Sequence, residues 1–268
     1  MTVVDHVLNR NEGDPPPGPG LVSRWGLPIT VAESYEAMSA HAADLIAADL
    51  AAKPDLLLCV SAGTTPTRTY ELLAARRARQ PRLFERLRVL KIDEWGGLPM
   101  DHSATCEVYV REKVVRPLGV SEDRYEGFQS RPADPESECE RVRRWLAAHG
   151  PIDVCVLGLG ANGHLALNEP AESLPPHANA STLAESSLNH PMLRSGAGRP
   201  AYGLTIGMAD ILQSRRPLLL VSGAHKRAPL RQLLASPVST QFPASFLWLH
   251  PAPVILCDRE AAGGGEAA

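Results

Sequence analysis

The sequence lacks the features that mark membrane-spanning, secreted and nucleic-acid-binding proteins. Its 268 residues contain no apolar run near the roughly 20 residues that a helix needs to cross a bilayer. The formal net charge of −3 excludes a strongly basic surface for nucleic acid or an anionic membrane. The N-terminus carries Asp5, Arg10 and Glu12 and has no apolar core segment. We therefore expect no signal peptide and a cytoplasmic location.

The cysteines show neither metal-ligand spacing nor the pattern of a disulfide framework. Cys59, Cys155 and Cys257 fall in or beside predicted strands, which favours buried, reduced thiols. A catalytic thiol is the less favoured alternative. We predict no metal site.

The periodicity of apolar residues predicts an α/β protein. With 44% hydrophobic residues the chain can bury one large core or two small ones. Strands that alternate with helices indicate a mainly parallel sheet between two helical layers. The predicted strands are Leu56–Val60, Val89–Ile92, Ile152–Leu157, Pro217–Val221 and Val254–Cys257. The predicted helices are Thr30–Ala52, Thr67–Arg79, Cys106–Arg116, Pro135–His149 and Lys226–Leu234.

Composition at the two ends predicts tails around one domain. Residues 1–20 end in a run of proline and glycine and are expected to be an irregular N-terminal tail. Residues 21–258 are expected to form a single domain, because no internal repeat divides them. Residues 259–268 include three consecutive glycines and are expected to be disordered.

A glycine-rich loop, Gly158–Pro170, follows one of the predicted strands and carries two titratable residues. Its three glycines within six positions let the backbone turn sharply and approach a ligand. His164 can exchange a proton near neutral pH, and Glu169 can tune it. A purely structural histidine is the alternative, which the glycines and the nearby carboxylate make less favoured.

A second loop, Ser61–Thr67, joins a predicted strand to a helix and has the composition of a phosphate cradle. Small residues let backbone N–H groups converge, hydroxyl groups add donors, and a helix N-terminus favours an anion. The alternative is an ordinary turn in which threonine caps the helix. The loop is neither a P-loop, since no Gly-Lys-Ser/Thr follows, nor a dinucleotide fingerprint.

Two further positions follow predicted strands. Asp93 and Glu94 precede Trp95, and one of the acids could act as a general base held partly out of water. The alternative is a turn aspartate with a solvent-facing Glu94. Lys226 could meet a phosphate, and its place in a first helical turn is otherwise unfavourable for a cation.

With these motifs the chain resembles the glucosamine/galactosamine-6-phosphate isomerase (deaminase) family over about residues 29–258. The resemblance is carried by Ser61–Pro66 with Tyr70, by Asp93–Pro99, and by Gly160–His164 continuing into Asn168–Pro170. The Gly-His element is also similar to that of 6-phosphogluconolactonases, whereas the Asn-Glu-Pro ending is similar to the deaminases. Three segments look most like the galactosamine-6-phosphate branch: Asp93–Trp95, Thr105–Glu107 and Pro243–His250.

The resemblance implies a three-layer α/β/α, Rossmann-like fold of the sugar-phosphate isomerase/deaminase type. It implies a cofactor-free enzyme, expected as a homo-oligomer, that converts an amino-sugar 6-phosphate and water into a ketohexose 6-phosphate and ammonia. By position, Asp93 would move the proton from C2 to C1, His164 would assist pyranose ring opening, and Glu169 would orient that imidazole. The residues implied to hold the phosphate are Ser61, Gly63, Thr64, Thr65, Lys226 and His190.

Two positions depart from the pattern of many family members. Asn162 stands where many glucosamine-type members have an aspartate in the catalytic set, and we interpret it as subfamily variation. Many members also offer an arginine to the phosphate near Asn189–Met192, where this chain has His190, a weaker ligand than a bidentate arginine. Arg194 is a second candidate for that role. The sequence leaves the choice open.

Two other functions stay open at this point. A sugar-phosphate lactonase would use His164 to activate water on a lactone carbonyl. A non-catalytic sensor of sugar phosphates would retain the pocket, although it has no need of Asp93, His164 and Glu169 together.

Overall fold

The protein is described by a computed structural model that covers residues 21–22, 28–195 and 198–263. The predicted tail at 1–20 lies outside these residues, as does the end of the predicted C-terminal tail, 264–268. None of the helices in the described ranges is both long and apolar enough to cross a membrane.

Strands and helices alternate along the described chain. The strands are β1 (Leu21–Val22), β2 (Pro28–Ala32), β3 (Leu57–Val60), β4 (Arg88–Lys91), β5 (Asp93–Gly96), β6 (Tyr125–Glu126), β7 (Val154–Gly158), β8 (Asn179–Ser181), β9 (Tyr202–Thr205), β10 (Arg216–Val221) and β11 (Val254–Asp258). The α-helices are α1 (Tyr35–Ala52), α2 (Thr64–Arg79), α3 (Cys106–Val110), α4 (Arg116–Leu118), α5 (Pro135–His149), α6 (Glu185–Leu188), α7 (Met208–Leu212), α8 (Arg227–Ala235) and α9 (Arg259–Ala262). A π-helical turn, Arg111–Val115, joins α3 to α4, and short 3₁₀ turns occupy Pro81–Phe84, Glu122–Arg124, Pro191–Ser195, Ala224–Lys226 and Pro243–Leu249.

The main sheet has eight strands in the order β1-β2-β11-β10-β7-β3-β4-β6. All neighbouring strands are parallel except β1, which is antiparallel to β2. In the middle of the sheet, Cys59 of β3 is paired with Cys155 of β7, and Leu219 of β10 is paired with Leu157 of β7. Because parallel strands end at the same edge, the loops after β3, β4, β7 and β10 meet there.

Both faces of the sheet are buried under helices, which makes the fold a three-layer α/β/α sandwich as predicted. Alternate residues of β7 point to opposite faces. Val154 and Val156 pack in one core cluster with α1 and α2, whereas Cys155 and Leu157 belong to the other cluster with α5 and α8. Burial on both faces explains why these strands are continuous apolar runs in the sequence.

The predicted elements are confirmed in the core of the sheet and differ at the ends of the chain. Residues 30–32 belong to β2 instead of the first helix, because they pair with β11 and the Ser34 side chain caps α1 by accepting from the N–H of Ala37. At the C-terminus the predicted disorder is wrong for Arg259–Ala262. These residues form α9, whose start is capped by the Asp258 side chain accepting from Ala261.

A second sheet of three antiparallel strands, in the order β5-β9-β8, was not predicted. Only Ile92 separates β4 from β5, so the chain passes directly from the main sheet into the small one. Asp93 pairs with Thr205 and Trp95 with Gly203 across this sheet. The small sheet therefore holds Asp93 in a strand instead of in the loop that the sequence suggested.

Candidate active site

A cavity of about 400 Å³ opens at the carboxyl edge of the main sheet. The loops after β3, β7 and β10 contribute Ser61, His164 and Lys226 to its wall, and β5 contributes Asp93. Their meeting follows from the parallel topology. The structure thus brings the three predicted loops and the predicted base to one site.

The Ser61–Thr65 loop forms one end of the cavity. Gly63 has φ +133°, which an L side chain rarely adopts, so glycine is required there. Helix α2 begins at Thr64 without a side-chain cap from any described residue, which leaves its first N–H groups facing the cavity end. The Ser61 hydroxyl is buried and has no hydrogen-bond partner in the described ranges. This arrangement suits an anion that accepts several hydrogen bonds.

Two basic side chains line the same cavity as this loop. Lys226 donates from Nζ to the carbonyl oxygen of Leu159 at 2.7 Å, and burial lowers the pKa of its ammonium group. His190 lines the same cavity, and a Cβ built on Gly63 would lie 3.9 Å from its Nε2. Both predicted phosphate-binding side chains therefore line the same cavity as the loop. The side chain of Arg194 lies outside the described residues.

Asp93 is the carboxylate that faces the cavity. It is 9% exposed, and burial raises the pKa of its carboxyl group to about 7, with the neighbouring charge of Glu94 adding to the effect. The thiol of Cys106 lies 3.6 Å from Oδ1, where it is a weak donor to the carboxylate. A carboxyl group that titrates near neutrality is suited to accept and return a proton.

Glu94 points away from the cavity into a buried charge network. Its carboxylate accepts from the backbone N–H groups of Trp95, Cys106 and Glu107 at 2.8–2.9 Å. Lys91 donates to it at 2.7 Å and also to Glu107 and to the carbonyl of Phe128. The solvent-facing Glu94 considered from the sequence is wrong: this side chain anchors the first turn of α3 and holds Cys106 against Asp93.

His164 and Glu169 form a second titratable centre in the glycine loop. His164 Nδ1 lies 3.3 Å from Oε2 of Glu169, and Asn162 donates to the same oxygen at 2.8 Å. Burial by itself raises the pKa of the Glu169 carboxyl, but the hydrogen bonds and charge of His164, with those of Ser187 and Asn162, outweigh it and lower the pKa to about 2. Glu169 is therefore an anion that orients the imidazole.

Asn162 also fixes the loop itself, because its Oδ1 accepts from the N–H of His164 at 3.2 Å. Ala166, two residues beyond His164, has φ +52°, so the turn remains tight without a glycine there. The amide of Asn162 thus bridges the backbone of the histidine and the carboxylate that orients its ring.

The structure adds side chains to the candidate site that the sequence reasoning did not assign a role. Ser187 contacts Glu169 and His164, and the buried indole N–H of Trp95 has no acceptor among the described residues of the cavity. Neither has a local sequence signal. Lys91 does: a single lysine inside a buried apolar strand, three residues before Glu94, indicates a buried ion pair.

The fold and the cavity together define a class: a three-layer α/β/α protein with an anion cradle and two separate acid–base centres at the carboxyl edge of its sheet. The chain belongs to the glucosamine-6-phosphate isomerase/6-phosphogluconolactonase family, whose pattern matches residues 30–254.

Relatives within this family carry deaminase names. The chain is 43% identical over 219 residues to the Escherichia coli K12 protein named "Putative deaminase AgaI", a match covering 81% of this chain and 86% of that one. It is 33% identical to glucosamine-6-phosphate deaminase 1 of Bacillus subtilis strain 168 over 232 residues, 86% of this chain and 96% of the relative.

Solved structures with similar folds include a deaminase of this family. A monomeric glucosamine-6-phosphate deaminase superposes with a TM-score of 0.82 at 32% identity, over 88% of this chain and 98% of that one. The 6-phosphogluconolactonase of Trypanosoma brucei superposes with a TM-score of 0.72 at 22% identity, over 89% and 98% of the two chains. At that identity the likeness to the lactonase is one of fold alone.

Proposed function

We propose that the protein is an amino-sugar 6-phosphate deaminase/isomerase. It converts galactosamine-6-phosphate or glucosamine-6-phosphate and water into a ketohexose 6-phosphate and ammonia. The observation that carries this proposal is that one cavity is lined by the Ser61–Thr65 cradle, by the buried base Asp93 and by His164, whose ring is paired with Glu169. Relatives named as deaminases, at 33% and 43% identity, support it.

The phosphate of the substrate binds at the cradle. Backbone N–H groups at the start of α2, the unpartnered hydroxyl of Ser61 and the ammonium group of Lys226 are donors to its oxygens. His190, which lines the same cavity, is our candidate for a further phosphate ligand at this end. Anchoring the phosphate orients the sugar carbons toward Asp93.

Chemistry begins with ring opening at His164. The imidazole takes the proton of the anomeric hydroxyl and delivers a proton to the ring oxygen, which gives the open-chain aldehyde. Glu169, an anion because its pKa is about 2, keeps the ring in the tautomer and orientation that this exchange needs. Asn162 holds Glu169 in place and carries no charge of its own.

Asp93 then carries out the isomerisation. It removes the proton from C2 while a proton of the substrate's own C2 ammonium group passes to O1, giving an enolamine, and it then returns its proton to C1, giving a protonated imine at C2. Water hydrolyses that imine to the ketone, and ammonia leaves. A carboxyl group with a pKa of about 7 can both accept and return the proton near neutral pH.

A cytoplasmic location and a homo-oligomeric state belong to the proposal as predictions. Phosphorylated amino sugars are charged metabolites, which supports the cytoplasm. One relative of known structure is described as monomeric, so the mass of the protein in solution decides the second prediction.

The deciding experiment is ammonia release measured side by side on glucosamine-6-phosphate and galactosamine-6-phosphate, with hydrolysis of 6-phosphogluconolactone as the third arm. We expect ammonia from at least one amino sugar and no comparable lactone hydrolysis. Lactone hydrolysis without ammonia release would establish the lactonase, which needs no base at C2. Tight binding of all three without turnover would establish a sensor.

A further inference from the structure

Helix α6 places one buried hydroxyl group in contact with both His164 and Glu169. Ser187 is 2% exposed, whereas the preceding Ser186 is exposed. The Ser187 hydroxyl donates to Oε1 of Glu169, and its oxygen lies 3.4 Å from Nδ1 of His164. A buried hydroxyl at this place contacts both members of the pair.

The two oxygens of the Glu169 carboxylate are held by different parts of the chain. Oε2 meets Asn162 and His164, which belong to the same glycine loop as Glu169. Oε1 accepts from Ser187 and, at a longer 3.4 Å, from the N–H of Ala184. The terminal torsion of a glutamate is broad, so contacts on one oxygen alone leave the carboxylate free to turn. The donor on Oε1 therefore fixes the plane in which Oε2 faces the imidazole.

We propose that Ser187 is a positioning residue for ring opening. It acts through Glu169: its hydroxyl locks the carboxylate plane, and the carboxylate in turn holds the His164 ring toward the substrate's ring oxygen. This inference rests on the proposed function and adds a residue to it. The chemistry at C2 belongs to Asp93, so loss of the Ser187 hydroxyl affects the ring-closed substrate and spares a substrate that has no pyranose ring to open.

The test uses three variants and two substrates. Ser187→Ala removes the hydroxyl, Ser187→Thr keeps it, and Ser214→Ala, which removes an equally buried hydroxyl that does not line the cavity, is the matched control. The substrates are the amino-sugar 6-phosphate and its 5-deoxy analogue, which lacks the hydroxyl that closes the pyranose. Exchange of the C2 proton with deuterated water is followed for both substrates.

For Ser187→Ala we expect kcat on the pyranose substrate to fall by about 10²-fold with KM little changed, since misplacing a catalytic group by about 1 Å costs that much. Exchange of the 5-deoxy analogue should stay close to wild type. Ser187→Thr should recover most of the loss. Ser214→Ala should keep the wild-type ratio of rates on the two substrates.

A measurement independent of turnover is nitrogen NMR of histidine-labelled protein. The His164 tautomer should be single in the wild type and mixed in Ser187→Ala, because the tautomer is set by the partner of Nδ1.

The possible outcomes separate the two proposals. Equal losses on both substrates, or an unchanged kcat and tautomer in Ser187→Ala, would overturn the role of Ser187 while the wild type still releases ammonia. A wild type that releases no ammonia and exchanges no C2 proton would overturn the proposed function and this inference together.

Discussion

The Nζ atom of Lys91 lies 2.7 Å from Oε2 of Glu94, and neither side chain is exposed to solvent. Through this pair a charge buried in the main sheet is connected to the start of α3, because Glu94 also accepts from the N–H groups of Cys106 and Glu107. The network lies directly behind Asp93. It keeps Cys106 against the carboxylate that we propose as the base.

Removing one partner from this network should destabilise the protein strongly. Lys91→Met leaves Glu94 as an uncompensated buried charge, whereas Glu107 keeps its pair with Arg111, and breaking a buried pair costs about 3–5 kcal/mol. Urea unfolding gives the free energy directly. Glu36→Gln, which breaks the solvent-exposed pair with Arg68, is the matched control and should change stability little. A similar loss in both variants would contradict a special role for the buried network.

The proposed base should impose a pH dependence on catalysis. Asp93 must be ionised to take the C2 proton, and its pKa is about 7. We therefore expect kcat/KM to fall as the pH drops through about 7, with a limiting slope of one proton. Because the Cys106 thiol donates to the carboxylate, Cys106→Ala should move this limb to higher pH. Cys139→Ala, a buried thiol in α5, is the control and should leave the profile unchanged.

The same raised pKa predicts a trade between activity and stability. An unfolded aspartate has a pKa of about 3.9, so between pH 4 and 7 the folded state holds a proton that the unfolded state has lost. The contribution of Asp93 to the free energy of unfolding therefore falls as the pH rises across this window. Above pH 7 the buried, ionised carboxylate lowers the free energy of unfolding by on the order of 4 kcal/mol, because the folded and unfolded pKa values of Asp93 differ by about three.

The variant Asp93→Asn tests this trade, since its amide does not titrate. It should lose ammonia release while still binding the substrate. It should also exceed the wild type in unfolding free energy at pH 8 and match it near pH 4. Unfolding curves of both proteins at the two pH values test this prediction. If the stability difference between Asp93→Asn and the wild type were the same at pH 4 and pH 8, the pKa of Asp93 would not be raised in the folded state.

Lys226 should act in binding more than in chemistry. Its side chain lines the cavity that the Ser61–Thr65 cradle also lines, and a charge-assisted hydrogen bond to phosphate is worth about 1.5–3 kcal/mol. Lys226→Met should raise KM and the inhibition constant for inorganic phosphate about 10–100-fold. The control Lys113→Met alters a lysine of the π-helical turn, away from the cavity. If Lys226→Met lost much of kcat while inhibition by phosphate stayed the same, Lys226 would act in catalysis and not in phosphate binding.

Local sequence patterns were sufficient to predict the central strands of the main sheet. The buried strands β3, β4, β7, β10 and β11 are apolar runs bounded by turn residues, and each was predicted within two residues of its observed bounds. The small sheet β5-β9-β8 was not predictable in this way. Asp93–Gly96 has no apolar alternation, and it is a strand because it pairs with β9, more than 100 residues further along the chain.

The two neighbouring acids illustrate the same limit at the site. Asp93 and Glu94 are equivalent in a sequence, and either could have been the base. Strand alternation sends them to opposite sides, so Asp93 faces the cavity and Glu94 faces Lys91. The contact of Ser187 with Glu169 was still less predictable, because no pattern in the sequence around Ser187 indicates a hydrogen bond to a residue 18 positions earlier.

The sequence by itself determined the parallel architecture and the loops that carry the chemistry, because strand periodicity, glycine turns and helix starts depend on neighbouring residues. Only the tertiary structure decided which carboxylate is buried beside the cavity, what raises the pKa of Asp93, and which hydroxyl holds Glu169. Those properties depend on desolvation and on contacts between distant segments. Burial and charge proximity exist only after the chain has folded.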